Sequence, residues 1–571
     1  MAETHSRLVE LLIRIRFPLL LTVAGMAALV GLAIMAPRGP DDALVVSGPM
    51  SLLPPLAAIL AAIVWRRVIP ALAFGVLAGA VMVQGGNPAT GLVTAASFVG
   101  GAAVSVDNLY MFAFTLSLMG MVGVILRNGG VDGAVALIAR FAKGRRSTQG
   151  VVAGMGAAVF FDDYANAVVV GTSSRPLTDR ARISREKLAY IVDSTAAPIA
   201  SLAIVSTWIG IEIRYLDEQI GFLGQFANTG YGVFLQLIPY RFYCIFALMG
   251  VAIIAWSGRD FGPMLKAERR AWHQGQPARP DARIPTTKAF QRLRPKEGVA
   301  PRALFGLMPI LVTLTMIFVL FFLQGSAILG ADQVSPFSLT SWRDCFCAVP
   351  NSTQLLMYSG MTGSLTALVL SIASFRLSVV EALGAWLVGA RSVVPALALL
   401  ILAIALRKAT DGDHLKTAEY VVALLTDVSP YAIPVAVFFT AVFISFSTGT
   451  SWGTMGILLP VAVPAAFYAS QTANDPLILL ITAGAVLDGA VFGDHCSPIS
   501  DTTLLSSIGS WCDLMDHVKT QLPYALMAMT AAALGGYVLL LTTSIPLWSL
   551  YLGGFLAMAL FVRLVGRHPN A

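Results

Sequence analysis

The sequence predicts an all-α polytopic membrane protein: about twelve transmembrane helices plus two re-entrant hairpins, in two inverted repeats with broken helices. Three observations carry that expectation. Of 571 residues, 57% are hydrophobic and only 12% are charged, with a mean hydropathy of +0.76, whereas soluble domains carry about 25% charged residues. The net charge of +7 comes from short basic blocks between apolar runs, the pattern of cytoplasmic loops, and does not point to nucleic acid. Polar, proline-interrupted clusters also recur in the same order in both halves, as transporter repeats do.

Apolar runs that read as crossings lie near 17–36, 50–65, 68–84, 107–126, 187–212, 229–256, 304–325, 354–375, 393–407, 475–508, 522–543 and 546–562. The first, Phe17 to Met35, lacks a small-residue cleavage site, so no cleavable signal is expected. Arg7, Arg14 and Arg16 precede it, Arg66 and Arg67 follow the second run, and Arg563 and Arg567 follow the last. Arg259 to Arg302 holds eleven Lys or Arg against four acids. Cytoplasmic termini and twelve crossings accommodate all of these blocks. Gly75 and Gly79 form a GxxxG pair, expected to serve close helix packing.

Lys143-Gly144-Arg145-Arg146 and the block from Arg175 to Lys187 both belong on the cytoplasmic side, yet the apolar stretch Gln149 to Gly171 separates them. A single crossing would strand one block outside. A re-entrant hairpin resolves the conflict, with Asp162 and Asp163 at its buried tip. The second half repeats the layout. Ala197-Pro198-Ile199 aligns with Ser497-Pro498-Ile499 at an offset of 300, and Phe161-Asp162-Asp163-Tyr164 matches Phe446-Ser447-Thr448-Gly449. Each half thus reads helix, polar hairpin, then a helix broken at Pro-Ile.

Ionisable groups at membrane depth are expensive and are kept for ion pathways or proton relays. Four clusters qualify: Asp162-Asp163-Tyr164-Ala165-Asn166, Asp193-Ser194-Thr195, Ser447-Thr448-Gly449-Thr450-Ser451, and Asp494 through Thr503, with Asp488 six residues earlier. Carboxylates, hydroxyls and freed backbone carbonyls are what a hard cation takes. Burial disfavours an uncompensated carboxylate charge, so a cation and a proton compete for it. The chain lacks a phosphate-binding Walker loop, which leaves an ion gradient as the energy source. Gly449-Thr450-Ser451-Trp452-Gly453 fits G-x-S-x-G, but no strand-turn-helix pattern surrounds it, so a hydrolase is not expected. Cys244, Cys345, Cys347, Cys496 and Cys512 show no metal-ligand spacing; Cys345 and Cys347 fall in an expected outside loop and receive no role.

At Phe160 to Asn166, Asp193 to Pro198, Ser447 to Thr454 and Phe492 to Thr503 the chain resembles the NhaC-type sodium/proton antiporter family of the ion transporter superfamily. The resemblance runs from about Asn108 to the last helices. It implies a scaffold domain, a moving transport domain and a homodimer, with the cation held by two hairpin tips and two broken helices. Asp163 and Asp494 are then the principal sodium-binding carboxylates, with Asp162, Asp193 and Asp501 beside them. Asn166, Ser194, Thr195, Thr448, Thr450, Ser451, Ser497 and Thr502 are the candidate neutral ligands. His495 stands open among ligand, proton carrier and packed side chain; an unperturbed imidazole titrates near about 6.5 and could tune Asp494.

The expected activity is exchange of sodium for protons in the inner membrane by alternating access, with no enzymatic step and no cofactor beyond the transported ions. The runner-up is sodium- or proton-coupled exchange of an organic anion or amino acid, since similar proteins carry malate and lactate and Arg407-Lys408 could meet an anion. The expected segments are N-terminal helices (1–106), a first repeat (107–256), a basic cytoplasmic loop (257–303), linking helices (304–392), a second repeat (393–543), and the last helix with its tail (544–571).

Overall fold

The computed structural model describes residues 49–65, 67–282, 295–296, 298–330, 332, 334–349, 352–411, 413–417, 420, 429–498 and 500–570. The crossing expected at 17–36, its preceding arginines, Arg66 and part of the basic loop lie outside them. Among the described residues the fold is all helix, with one isolated β-bridge, Asp260 to Arg567. Nine described helices are long and apolar enough to cross a membrane, or ten if the bent pair Gly230–Tyr240 and Phe242–Ser257 (47°) is one span.

Leu53–Trp65 and Val68–Val83 form a close pair. A Cβ on Gly75 would lie 2.8 Å from Ala58 Cβ, and one on Gly79 would lie 2.8 Å from Ala409 Cβ on Val394–Thr410. The GxxxG pair therefore serves close packing. A further helix, Pro88–Val104, has no counterpart among the expected runs. Its glycines, two threonines and serine lower its apolar signal, while Asn87 caps it through Oδ1, which accepts from Ala89 N at 3.0 Å.

Val106–Arg127, Leu304–Leu329, Ser352–Ala373 and Val379–Ser392 form a panel at one side. Gly123 is pressed against Gly389 and the Ala385 carbonyl, where a Cβ would come within 2.3 Å. The loop expected around Cys345 is instead the helix Leu339–Ala348, capped by Ser338. Its Phe346 stacks on Phe321 at 4.8 Å, and the free Cys345 thiol is buried.

The site-bearing half contains two helical hairpins. The first has legs Arg145–Ala158 and Asp163–Arg180, turning at 159–162. Neither leg meets the length and hydropathy of a spanning helix. The second has legs Ile433–Thr448 and Ser451–Ala473, turning at Gly449 (φ +69°) and Thr450. Left-handed backbone there favours a residue without Cβ. Two broken helices complete the set. One runs Arg185–Ser194, a short turn Ala197–Ala200, irregular residues 201–208, then Ile209–Asp217; the other is Leu477–Cys496 followed by Asp501–Ser510.

The packing is reciprocal. Asp501–Ser510 lies on the second leg of the first hairpin, and Ile209–Asp217 lies on the second leg of the other. Arg175 donates to the carbonyls of Gly509 (2.7 Å) and Ile508 (2.9 Å), capping Asp501–Ser510 from the hairpin side. Leu477–Cys496 is buried from Ile478 to Cys496 and runs through the middle of the molecule. Gly489 and Gly493 let Ile433–Thr448 lie flush on it: a Cβ on Gly493 would sit 2.6 Å from Phe446 N and Val442 O.

Candidate functional site

Each hairpin tip is made by a side chain that caps the helix leaving it. Asp162 Oδ1 accepts from Ala165 N at 2.6 Å, and its Oδ2 accepts from the Thr207 hydroxyl at 2.9 Å. Thr450 Oγ1 accepts from Gly453 N at 3.3 Å in the other tip. The irregular stretch after Ala200 is fixed to the first tip by Thr207 N donating to Phe161 O at 2.9 Å. The break in that helix is therefore held by the hairpin.

Asp162 and Asp163 are each 2% exposed. Asp163 lies close enough to Asp162 and Asp494 for their charges to repel one another, with the Trp208 indole beside it. Trp208 meets Trp452, the residue after Ser451, with ring centroids 5.6 Å apart. Ser451 Oγ, from the second tip, donates to Asp494 Oδ2 at 2.9 Å. Asp163, Asp494 and Ser451 thus converge from three elements.

Asn166 ties the first hairpin to the first break. Its Nδ2 donates to the carbonyls of Gly156 and Thr195, each at 2.8 Å, while its buried Oδ1 has no hydrogen bond. An oxygen left bare in a buried position suits a cation better than a packed core. Thr195 Oγ1 donates to Ile191 O at 2.7 Å and Thr448 Oγ1 to Ile444 O at 2.8 Å, so both hydroxyls bond their own helices. Ser497 Oγ donates to Phe446 O at 2.8 Å, joining the second break to its hairpin. Thr502 Oγ1 pairs with Ser500 Oγ at 2.8 Å. Asp501 begins its helix; its side chain lies outside what is described.

Asp193 and His495 belong to a different environment. Asp193 accepts from Ser506 Oγ (3.0 Å), His517 Nε2 (3.2 Å) and Gln521 Nε2 (2.7 Å). His495 places Nε2 3.2 Å from Ser194 Oγ and Nδ1 2.7 Å from the Tyr243 hydroxyl. Both ring nitrogens are engaged on this side, so the expectation that His495 tunes Asp494 is corrected. Neighbouring residues on a helix point about 100° apart, which sends the two side chains to different partners. Arg407 is likewise corrected as an anion contact: Nη2 lies 2.5 Å from Glu218 Oε2, and Lys408 pairs with Asp411.

One feature escaped the sequence reading. Arg241, at the bend before Phe242–Ser257, is wholly buried between Asp488 and Glu212, with Nε 3.0 Å from Asp488 Oδ1 and Nη1 3.6 Å from Glu212 Oε2. A lone arginine inside the apolar run 229–256 is the signal that could have found it. A groove of about 710 Å³ also runs beside the first hairpin, from Arg146 and Ser147, past Gly150 and Ala153, to Thr195 and Ile199. Among the described residues no group of three His, Cys, Asp or Glu is arranged for a metal ion.

Several known proteins are similar to this chain. A protein of Haemophilus influenzae, whose name states no activity, is 33% identical over 509 residues, 87% of this chain and 92% of that protein. The Malate-2H(+)/Na(+)-lactate antiporter of Bacillus subtilis is 41% identical over 90 residues, 16% of this chain and 18% of that protein. The solved YdaH transporter of Alcanivorax borkumensis shares the fold, with a TM-score of 0.51 at 16% identity over 80% of this chain and 90% of that one. The sequence profile described as the Na+/H+ antiporter family matches residues 199–540, from the first break to the π-helical end of Leu514–Thr542. The chain is therefore a multi-pass membrane transporter, not an enzyme, and belongs to the Na+/H+ antiporter family.

Proposed function

We propose that this protein exchanges sodium for protons across the inner membrane by alternating access. The observation that carries the reading is the convergence of Asp163 from the first tip, Asp494 from the second broken helix and Ser451 from the second tip. Sodium binds between the two carboxylates, with Asn166 Oδ1 and the Ser451 hydroxyl as neutral ligands. Two buried like charges are costly without a partner, so departure of sodium draws in a proton, and return of sodium expels it. Asp162 stays bound to its helix N-terminus and to Thr207, holding the tip in shape.

The hairpins act as re-entrant elements of two inverted repeats, a reading supported by the reciprocal packing of hairpin legs on broken helices. The groove ending at Thr195 supports access from the side of Arg145 and Arg146, which we place in the cytoplasm with both termini. The panel containing Val106–Arg127 serves as scaffold, joining a homodimer. A second reading, coupled exchange of an organic anion or amino acid, is favoured by the 41% identical stretch shared with the malate/lactate protein.

The test is purified protein in liposomes with an internal pH dye. Sodium alone should move protons in the wild type, and Asp494→Asn should reduce that rate at least about a hundredfold while the protein still purifies as a folded species. Silence until malate, lactate or an amino acid is added would replace this reading with the second.

A further inference from the structure

Resting on that antiport reading, we propose that Glu212 is a proton-binding site separate from the cation-binding carboxylates, neutralising a buried cluster with Arg241 and Asp488 when sodium is absent. The side chains of Arg241, Glu212 and Asp488 are all fully buried. They join both broken helices to the bend at Arg241: Glu212 lies on Ile209–Asp217 and Asp488 on Leu477–Cys496. One guanidinium faces two carboxylates. A buried cluster with an uncompensated charge is strongly disfavoured, so the stable resting state of this cluster holds one proton.

Hydrogen bonding decides which carboxylate holds it. Asp488 Oδ1 accepts from Arg241 Nε at 3.0 Å, and Oδ2 accepts from Tyr243 N at 2.7 Å and the Tyr537 hydroxyl at 2.8 Å. Two of those donors, one on each oxygen, can act only as donors, so both Asp488 oxygens are already taken as acceptors. Glu212 Oε1 accepts from the Ser201 hydroxyl at 2.5 Å, while its buried Oε2 has no hydrogen bond. The remaining Arg241 donors go to Ser201 O at 3.2 Å, to Ser201 Oγ and to Cys244 Sγ at 3.8 Å. Arg241, Asp488 and Cys244 are the titratable or charged groups that act on this cluster beside Glu212; Tyr537 and Tyr551 bear on the Asp488 side. Glu212 Oε2, which faces Arg241 Nη1 only at 3.6 Å and makes no hydrogen bond, is the oxygen left for a proton.

The cluster is coupled to the cation site along both broken helices. Glu212 N donates to Trp208 O at 3.0 Å, one turn from the indole beside Asp163, and Thr207 holds Asp162. Asp488 lies six residues before Asp494 on the same helix. At a pH where Asp163 and Asp494 have already lost their proton, a cation arriving at a distance of about 10 Å in a medium of effective dielectric about 20 shifts the proton affinity of such a group on the order of tenfold. Sodium entry then releases a proton from Glu212, and its exit restores one.

The experiment measures proton release on adding sodium to weakly buffered, detergent-solubilised full-length protein, with sodium affinity by calorimetry between about pH 6 and pH 9. Glu212→Gln, which mimics the protonated carboxyl, should still bind sodium, release at least about threefold fewer protons per sodium at the alkaline end, where Asp163 and Asp494 carry none, and show a flatter dependence of affinity on pH. Release and pH dependence equal to wild type in this variant would make Glu212 a structural partner of Arg241 and overturn the assignment. A wild type that binds sodium without releasing protons would overturn the antiport reading and this site together. Infrared difference spectra on sodium addition read the same group in the unmutated chain and in Ser201→Ala. A protonated-carboxyl band should vanish with sodium in both and be displaced in Ser201→Ala. Absence of any sodium-sensitive carboxyl band that moves in Ser201→Ala would overturn the assignment, even where Glu212→Gln fails to fold.

Discussion

Asp193 and Asp494 occupy the two broken helices, both deeply buried, yet their surroundings differ in kind. Asp193 is surrounded by donors from three side chains, Ser506, His517 and Gln521, carried on Asp501–Ser510 and Leu514–Thr530. Asp494 receives the Ser451 hydroxyl at the tip of the opposing hairpin and shares its space with Asp163. A carboxylate saturated by rigid donors fixes a joint between elements. One that faces another acid and receives a single hydroxyl from the opposing hairpin tip carries, on the proposed reading, the response to what enters.

The comparison is broken or sharpened most strongly by removing Asp193. Asp193→Leu strands three buried donors and should cost about 3–5 kcal/mol, read as lost monodisperse protein or a much lower melting temperature in detergent. Asp494→Asn should change the same melting temperature little. Equal damage from both substitutions would erase the distinction. Next in size is the contrast between two glycines at the hairpin contacts. Gly493→Ala pushes a Cβ to 2.6 Å from backbone atoms of the second hairpin, whereas Gly156→Ala meets the Thr195 side chain. Overpacking costs about 1–3 kcal/mol, and the backbone clash should lie at the upper end in a chemical-unfolding series. Smallest is Ser451→Ala, which removes one hydrogen bond to Asp494. It should cost about 0.5–1.5 kcal/mol in stability yet weaken apparent sodium affinity about three- to tenfold in the liposome assay.

Much of this arrangement was readable from the chain because it depends on local chemistry. Conflicting basic blocks located the first hairpin, and Asp162 and Thr450 announce the caps that form both tips. Where tertiary contact overrides local pattern, the sequence misleads. Residues 201–208 look like a continuation of an apolar helix, yet Ser206 Oγ bonds Ala200 O and Thr207 bonds the distant hairpin tip. The 229–256 run hides Arg241 because a charge is recognisable as buried only once its partners, 29 and 247 residues away, are brought beside it. Ser506, His517 and Gln521 escaped for the same reason: their common acceptor is Asp193, in the other half of the chain.

The end of the chain carries a consequence for how its sequence can vary. Asp260 and Arg567 exchange two backbone hydrogen bonds at 2.9 Å. Arg259 donates to the carbonyls of Arg563 and Gly566, His273 meets Pro569 O, and His568 meets Gly258 O. The tail is thus gripped largely through main-chain atoms. Side chains along it are free to drift over evolutionary time, but a residue inserted or deleted between Arg563 and Pro569 would throw the grip out of phase. Length, more than composition, is what selection has to preserve there.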